Sequence, residues 1–491
     1  MGFISVYFVV FIFVTYCLYY VVPSRFQWMV LLAASILFYM SFDFRAIIFL
    51  LVSSGIIYAA AIIVFKRPNG QVRNAVVIFS IGINIFLLMA FKYFPFFGRL
   101  WPDGNFIFEL REQLMDKYSL VVPIGISFYT LALMGYLLDV YRLRYEPERN
   151  ILKVFLFASF FPHILQGPIA RYDQLSTQFQ KKHLLSYNRT MYALQLMIWG
   201  YMKKMVIADR VSIFVDAVYS NYGLVGGTEL FIASLLYSIQ IYADFSGCVD
   251  IAAGTAELFD IRLMDNFKRP YLAGSVREFW KRWHISLSSW YRDYLYIPLG
   301  GGRKGKARRW INIFIVFLMS GIWHGAGLNF IAWGIIHGAY QIIGDCILPL
   351  QKKGMYILKI DENSAWWVLW KRMMTFLFVN FAWIFFKADG WRMGARIVVS
   401  IFRYPSPWVM TDGTLYKYGI SANMFCVLIL FIILLLVVDM LHEKNISIRK
   451  WIAECNIIVR WLIYYAALCA ILVFGAYGMG YQASEFIYMQ F

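Results

Sequence analysis

The chain has 491 residues, of which 61% are hydrophobic, 19% aromatic and only 15% charged. Ordinary globular domains carry about 25% charged residues, so this composition excludes a soluble globular enzyme, a disordered protein and a disulfide-rich scaffold. Many long apolar stretches are needed to account for so few charges. We therefore predict an all-α, polytopic membrane protein.

The charged residues are strongly biased, because 46 Lys and Arg against 28 Asp and Glu give a formal net charge of +18. In a chain this apolar, the excess indicates basic cytoplasmic loops rather than binding to nucleic acid, and we expect no nucleic-acid partner. The six cysteines are scattered, without C-x-x-C or another metal-ligand spacing. The sequence predicts no metal site, and the cysteines do not indicate a redox compartment.

Apolar stretches of about 17 to 25 residues, long enough to cross a bilayer, recur along the chain. They cover residues 4–22, 26–42, 46–65, 75–94, 121–138, 151–170, 191–208, 230–253, 310–330, 331–350, 368–386, 420–441 and 457–479. Since some of them should be re-entrant, we expect about 10 to 13 transmembrane helices, with interfacial helices between them and membrane lipids around them.

No soluble domain can be separated from these stretches, and no internal repeat is evident. We treat 1–491 as a single membrane-embedded domain. Its parts are N-terminal spans (1–118), a core that carries the histidine motifs (119–350), C-terminal spans (351–481) and a tail (482–491).

The basic loops predict the orientation of the chain. Basic residues cluster in 66–73 after the third span, in 142–153 after the fifth and in 444–450 before the last. Cytoplasmic loops carry the excess of Lys and Arg, so the N-terminus and the tail 482–491 should both be extracytoplasmic. The first stretch is followed by no small-residue cleavage site, so it should be a retained span.

The segment after the eighth stretch predicts an interfacial helix. Ser275 and Glu278 have the spacing of a capping box, and Pro298 with the following glycines should end the helix. One face would carry Trp280, Trp283, Leu287, Trp290 and Tyr294, and the other Arg277, Lys281, His284, Ser288 and Arg292. An aromatic stripe opposite a basic face is typical of a helix in the membrane interface. On the polar face, His284 would be either a solvated or capping residue or a functional one.

The glycine-rich loop 300–306 has a spacing similar to that of a phosphate-binding loop. Ala307 stands where that motif requires Ser or Thr, and no strand precedes the loop, so we exclude a nucleotide-hydrolysing site. Its basic residues, Arg303 and Lys304 among them, could contact the phosphates of a carrier such as coenzyme A. The alternative is an ordinary cytoplasmic basic loop.

Two of the six histidines, His324 and His337, lie within the continuous apolar sequence 311–343. An ionisable side chain at that depth is costly unless it faces a cavity or a partner, so each is a candidate site residue. Next to Trp323 and among several glycines, a neutral His324 imidazole could take the proton of an attacking hydroxyl. The alternative is a histidine that bonds across a helix interface.

Together these segments resemble the membrane-bound O-acyltransferases, and most closely the branch that O-acetylates alginate. The motifs, in chain order, are VPIGISFY at 122–129, QGPI at 166–169, DFSG at 244–247, REFWKRWHISLS at 277–288, RDYLYIPLGG at 292–301 and WHG at 323–325. The similarity covers most of the chain from about residue 122 to residue 337.

The resemblance implies helices around a central funnel in a bacterial cytoplasmic membrane, with the acyl donor on the cytoplasmic side. His324 matches the catalytic histidine of the family, His284 a second, tunnel-lining position and His337 a third. Acetyl-CoA would be the donor substrate, with no permanently bound cofactor. A secreted or cell-wall polysaccharide would be the acceptor, and a separate extracytoplasmic esterase-like O-acetyltransferase would be a partner. D-alanyl transfer is the alternative, although that branch typically lacks the run 295–301.

The tail 486–491 resembles the carboxyl-terminal motif of small single-span proteins thought to relay acyl groups. Tyr488 could therefore carry an acyl ester on its phenolic oxygen, unless it is only an aromatic residue of the membrane interface. A transporter is the alternative from another class, but it predicts an internal symmetry that we do not find in this sequence.

Overall fold

A computed structural model describes residues 1–67, 70–93 and 122–477, and these residues contain helices and no strand. The described residues form two compact units, one of 1–197 with 248–264 and one of 198–247 with 265–477. The predicted all-α fold is confirmed. The funnel and the four-part division of the chain stay predictions.

The first unit contains eight complete α-helices among its described residues, and part of two more. The complete helices are α1 (Val6–Val21), α2 (Gln27–Met40), α3 (Ile47–Lys66), α4 (Gln71–Lys92), α5 (Ile126–Tyr141), α6 (Ile151–Ser159), α7 (Phe161–Ile164) and α8 (Tyr172–Phe179). Helix α9 (Tyr187–Tyr201) and helix α11 (Gly227–Leu258) each contribute residues to both units.

The predicted stretch 151–170 is not a continuous span. Helix α6 has 9 residues and ends at Ser159, and the one-turn helix α7, with Pro162 in its first turn, follows. At 1.5 Å per residue, α6 is about 14 Å long, whereas the hydrocarbon core of a bilayer is about 30 Å thick. Residues 154–170 are buried against protein, whereas Ile151 and Leu152 are exposed.

The second unit contains the remaining helices. They are α10 (Asp209–Ser220), α12 (Val276–Arg282), α13 (Ile285–Tyr291), α14 (Lys306–His324), α15 (Leu328–Ile357), α16 (Ala365–Lys387), α17 (Trp391–Arg403), α18 (Ala422–Glu443), α19 (Ile448–Glu454) and α20 (Ile457–Phe474). Two short π-helical segments, Met202–Ala208 and Arg292–Tyr296, continue α9 and α13.

Several helices are long and apolar enough to cross a membrane. Within the described ranges there are seven: α3, α4, α11, α15, α16, α18 and α20. Three shorter apolar helices cover Val6–Val21, Ser24–Met40 and Ile126–Tyr141. Large apolar side chains such as Tyr7, Phe79 and Leu472 point outward from these helices, as expected for contact with lipid. The chain is a multi-pass membrane protein.

Candidate active site

The predicted catalytic histidine lies at the end of a tightly packed helical hairpin. Helix α14 ends at His324, and α15 begins three residues after Gly325. A Cβ atom on Gly321 would lie 2.4 Å from the backbone oxygen of Phe330, and one on Gly334 would lie 2.6 Å from that of Phe317. Only glycine permits this approach of the two backbones. The glycines near His324 therefore pack helix against helix.

His324 is buried among aromatic rings. Its ring centroid lies 5.1 Å from that of Trp333 and 5.4 Å from that of Phe386, both in near-perpendicular contact. The preceding residue, Trp323, lies against it at 4.9 Å. Three aromatic rings therefore enclose the predicted catalytic imidazole.

His337, the second predicted intramembrane histidine, is fully buried on another side of Trp333, the ring that also contacts His324. Its centroid lies 4.9 Å from that of Trp333, and its Nδ1 accepts a hydrogen bond of 3.1 Å from Nε1 of Trp280. An indole nitrogen only donates. The neutral His337 ring therefore carries its own proton on Nε2.

His284 does not lie on the polar face of a continuous helix, and that prediction is wrong. The capping box is present, since Oγ of Ser275 accepts from the backbone N–H of Glu278 at 3.2 Å. Helix α12, however, ends at Arg282, and His284 takes a left-handed backbone conformation with φ of 45° before α13 begins. The reversal turns His284 inward, where it is 1% exposed.

Asn266 determines how His284 is held. Its backbone oxygen accepts the N–H of Ile285, and its side-chain Oδ1 accepts the backbone N–H of Ser286 at 3.0 Å. The same Oδ1 lies 3.2 Å from Nδ1 of His284. Because this oxygen is an acceptor, Nδ1 must donate, and the lone pair of neutral His284 lies on Nε2. Burial lowers the pKa of His284 to about 3, so the ring is neutral at pH 7.

The predicted site residues of this region form one aromatic cluster. The Trp323 ring lies 6.1 Å from that of His284 and 4.9 Å from that of His324, and Trp333 contacts both His324 and His337. The structure therefore brings together His284, Trp323, His324 and His337. A hydroxyl and a thioester that entered this cluster would meet imidazole rings in aromatic surroundings.

A buried ion cluster lies next in sequence to a residue that contacts His284, and the sequence analysis gave it no role. Nζ of Lys204 lies 2.6 Å from Oδ1 of Asp244 and 2.9 Å from Oδ1 of Asp209, and all three side chains are almost completely buried. The next residue of the 244–247 motif, Phe245, places its ring 4.8 Å from that of His284. The motif itself was the available signal, but its partner could not be identified from sequence.

Arg303 and Lys304 are not part of the histidine cluster. Both are exposed in the loop before α14, which Asn312 holds by donating to the backbone oxygen of Gly301 at 2.9 Å. Neither residue forms an ion pair in the part of the chain that the structure describes. Helix α14 has 19 residues, so about 28 Å separates this loop from His324. Tyr488 lies outside the described residues.

The model of MBOAT, the membrane-bound O-acyltransferase family, matches residues 148–386. The probable alginate O-acetylase AlgI of Pseudomonas putida is 32% identical over 80% of this chain and 78% of that protein. The peptidoglycan O-acetyltransferase of Helicobacter pylori is 32% identical over 76% of this chain and 72% of that protein. The teichoic acid D-alanyltransferase of Bacillus subtilis is 25% identical over 60% of this chain and 74% of that protein.

Proposed function

Because this chain belongs to the membrane-bound O-acyltransferase family, and is therefore an O-acyltransferase, we propose that it moves acetyl groups across the membrane. The donor would be cytoplasmic acetyl-CoA, and the acceptor a hydroxyl group of a secreted or cell-wall polysaccharide. Two relatives match this chain over more than two thirds of their own length, and their names support a polysaccharide acceptor. They are a probable alginate O-acetylase and a peptidoglycan O-acetyltransferase.

One observation carries the proposal: α14 has the buried His324 at one end and an exposed basic loop at the other. Acetyl-CoA is elongated, with its thioester at one end and its phosphates toward the other. Arg303 and Lys304 would bind the phosphates, while the thioester would extend toward His324. The bulky polyanion would stay in the cytoplasm, because burying its charge in apolar surroundings is too costly, and only the acetyl group would cross.

In the proposed reaction, His324 is the general base. It takes the proton of the acceptor hydroxyl while that oxygen forms a bond to the thioester carbonyl carbon, and the carbonyl electron pair moves onto the carbonyl oxygen. The pair then returns, the carbon–sulfur bond breaks, and the thiolate takes the proton from His324. The products are an acetyl ester and free coenzyme A thiol.

His284 would assist as a neutral acceptor. Asn266 accepts from its Nδ1–H, so the ring would act through the lone pair on Nε2. Trp323, which contacts both His284 and His324, would form the wall between them. His337 would not act as a further base, because Trp280 occupies its Nδ1.

On the outer side, we propose that Tyr488 receives the acetyl group on its phenolic oxygen and passes it on. The basic clusters that orient the spans would place both termini outside, where a relay to an extracytoplasmic acceptor must end. A separate esterase-like O-acetyltransferase would then move the group from Tyr488 to the polymer. Each step exchanges one ester for another and needs no further reactant.

D-alanyl transfer is the second candidate, and its support is the similarity to teichoic acid D-alanyltransferases. Those matches have lower identity than the two O-acetylase matches described above and cover less of this chain. A transporter would leave acetyl-CoA intact, whereas a transferase releases its thiol. Membership of an acyltransferase family favours the transferase.

The test uses purified protein in detergent with radiolabelled acetyl-CoA. We expect label on the intact chain and release of thiol, with both lost in His324→Ala. Tyr488→Phe should lose the label on the chain. A label that survives in Tyr488→Phe but not in His324→Ala would contradict the relay through Tyr488 and still support the transferase. If only a D-alanyl thioester labels the chain, the donor is D-alanyl and not acetyl. If no donor gives label or releases thiol, the proposal is contradicted.

A further inference from the structure

Three buried N–H groups near His324 have no hydrogen-bond acceptor among the described residues. They are Nε1 of Trp333, Nε1 of Trp383 and Nε2 of His337. All three side chains are 0% exposed. An indole nitrogen only donates, and the bond from Trp280 to Nδ1 of His337 leaves the His337 proton on Nε2.

These three donors belong to one ring cluster. The Trp333 and Trp383 rings are stacked with centroids 5.8 Å apart, and His337 lies 4.9 Å from Trp333 and 6.3 Å from Trp383. The centroid of His324 is 5.1 Å from that of Trp333. Helices α15 and α16 thus place three uncharged N–H donors in one ring cluster, and Trp333 is the member that contacts the proposed base.

A buried donor without an acceptor is unfavourable, and three in one cluster of a folded protein call for an explanation. We propose that they bind the carbonyl oxygen of the acyl group, first in the thioester and then as the oxyanion that forms when the hydroxyl attacks. This inference rests on the proposed function, which does not say which groups bind the carbonyl oxygen of the acyl donor.

The chemistry requires such a group. When the hydroxyl oxygen bonds to the carbonyl carbon, the carbonyl electron pair moves onto oxygen, and His324 holds the proton that the hydroxyl has lost. Fixed N–H donors stabilise that oxygen without reorganising, and they act most strongly where water is excluded. When the pair returns, the thiolate leaves and takes the proton from His324, so atoms and electrons balance.

The first test replaces each indole by a ring of similar shape that cannot donate. Trp333→Phe and Trp383→Phe should each lower kcat about 100-fold, with little change in KM for acetyl-CoA. Tyr219→Phe is the matched control, because it removes a buried hydroxyl that also has no acceptor among the described residues but lies on α10. It should keep kcat. Unchanged kcat in both tryptophan variants would mean that neighbouring ring faces or a water satisfy these donors, and would overturn the proposal.

The second test measures binding and needs no turnover. A ketone analogue of acetyl-CoA keeps the carbonyl, and a thioether analogue lacks it. We expect the wild type to bind the ketone more tightly, and each tryptophan variant to lose about 2- to 10-fold of that preference while binding the thioether normally, which also shows that it is folded. If the wild type prefers the ketone and the variants keep that preference, the assignment of these donors is wrong. If the wild type binds neither analogue, the acetyl-CoA donor of the proposed function is wrong, and this proposal with it.

Discussion

Oδ1 of Asn266 accepts the backbone N–H of Ser286 at 3.0 Å and lies 3.2 Å from Nδ1 of His284. One amide oxygen therefore accepts an N–H of the first turn of helix α13 and also determines the tautomer of a buried histidine. A carboxylate at this position would also accept from both groups, but its charge would raise the pKa of the ring.

Asn266→Asp should shift the pH dependence of acyl transfer. A carboxylate beside Nδ1 favours the imidazolium form and raises the pKa of His284 by about 1 to 3 units, from about 3. The ring therefore stays mostly neutral at pH 7 and becomes charged at a higher pH than in the wild type. We expect transfer close to the wild-type rate at pH 7 and slower than the wild type below about pH 6, measured as thiol release across pH 5 to 8. Asn380→Asp is the control, since Asn380 is a buried amide that bonds to Ser234 and Ser238. The same profile in both variants would contradict a role for neutral His284.

His284 should also make the protein less stable in acid. Its pKa is about 3 in the folded protein, against an ordinary value of 6.5. Below pH 6.5 the unfolded chain binds a proton that the folded chain does not, so the free energy of unfolding falls by about 1.4 kcal/mol per pH unit from this group. The contribution is complete above pH 6.5 and is lost toward pH 3. Unfolding midpoints at pH 7.5 and 5.5 should therefore differ more in the wild type than in His284→Gln, and equal differences would count against this account.

Gly334→Ala should separate the two helices that hold His324. The added Cβ would lie 2.6 Å from the backbone oxygen of Phe317, and such overpacking costs about 1 to 3 kcal/mol. Gly344→Ala on the same helix is the control, because a Cβ there meets nothing within 4 Å. We expect a lower Tm and reduced transfer in Gly334→Ala only. Equal behaviour of the two variants in thermal unfolding would refute the close-packing argument.

Lys204→Met should be strongly destabilising. It removes the lysine that pairs with the buried carboxylates of Asp244 and Asp209, and removing one partner of a buried ion pair costs about 3 to 5 kcal/mol. Lys387→Met breaks a pair with the half-exposed Asp216 instead, for which about 0 to 1 kcal/mol is expected. Denaturation in detergent measures both, and a Lys204 variant as stable as the Lys387 variant would disprove the ranking.

Replacing Arg303 and Lys304 together by Gln should weaken donor binding without slowing the chemical step. Exposed ionic contacts are worth about 0.2 to 1 kcal/mol each, so KM for acetyl-CoA should rise by up to about 30-fold while kcat stays the same. Added salt should diminish the difference from the wild type. The control is the double replacement of Lys352 and Lys353, an exposed basic pair in α15. A fall in kcat with constant KM would place the loop in another role.

Much of the site could be predicted where its signal is local in sequence. His324 and His337 stood out because charge is rare in apolar sequence, and Ser275 with Glu278 marked a helix start that the structure has. The inward position of His284 was missed, because a regular helical period cannot show a single left-handed residue. Asn266, which makes that reversal favourable, is 18 residues away in the chain.

Sequence alone determined the class of molecule, the apolar helices and the histidines to consider, since composition and periodicity are properties of neighbouring residues. Tertiary structure decided which tautomers the rings adopt, which lysine pairs with Asp244 and, within the described ranges, which buried N–H groups lack an acceptor. Those properties depend on contacts between residues far apart in the chain, such as Lys204 and Asp244, which are 40 positions apart. Such contacts form only when the helices pack, because no local pattern specifies which helix faces meet.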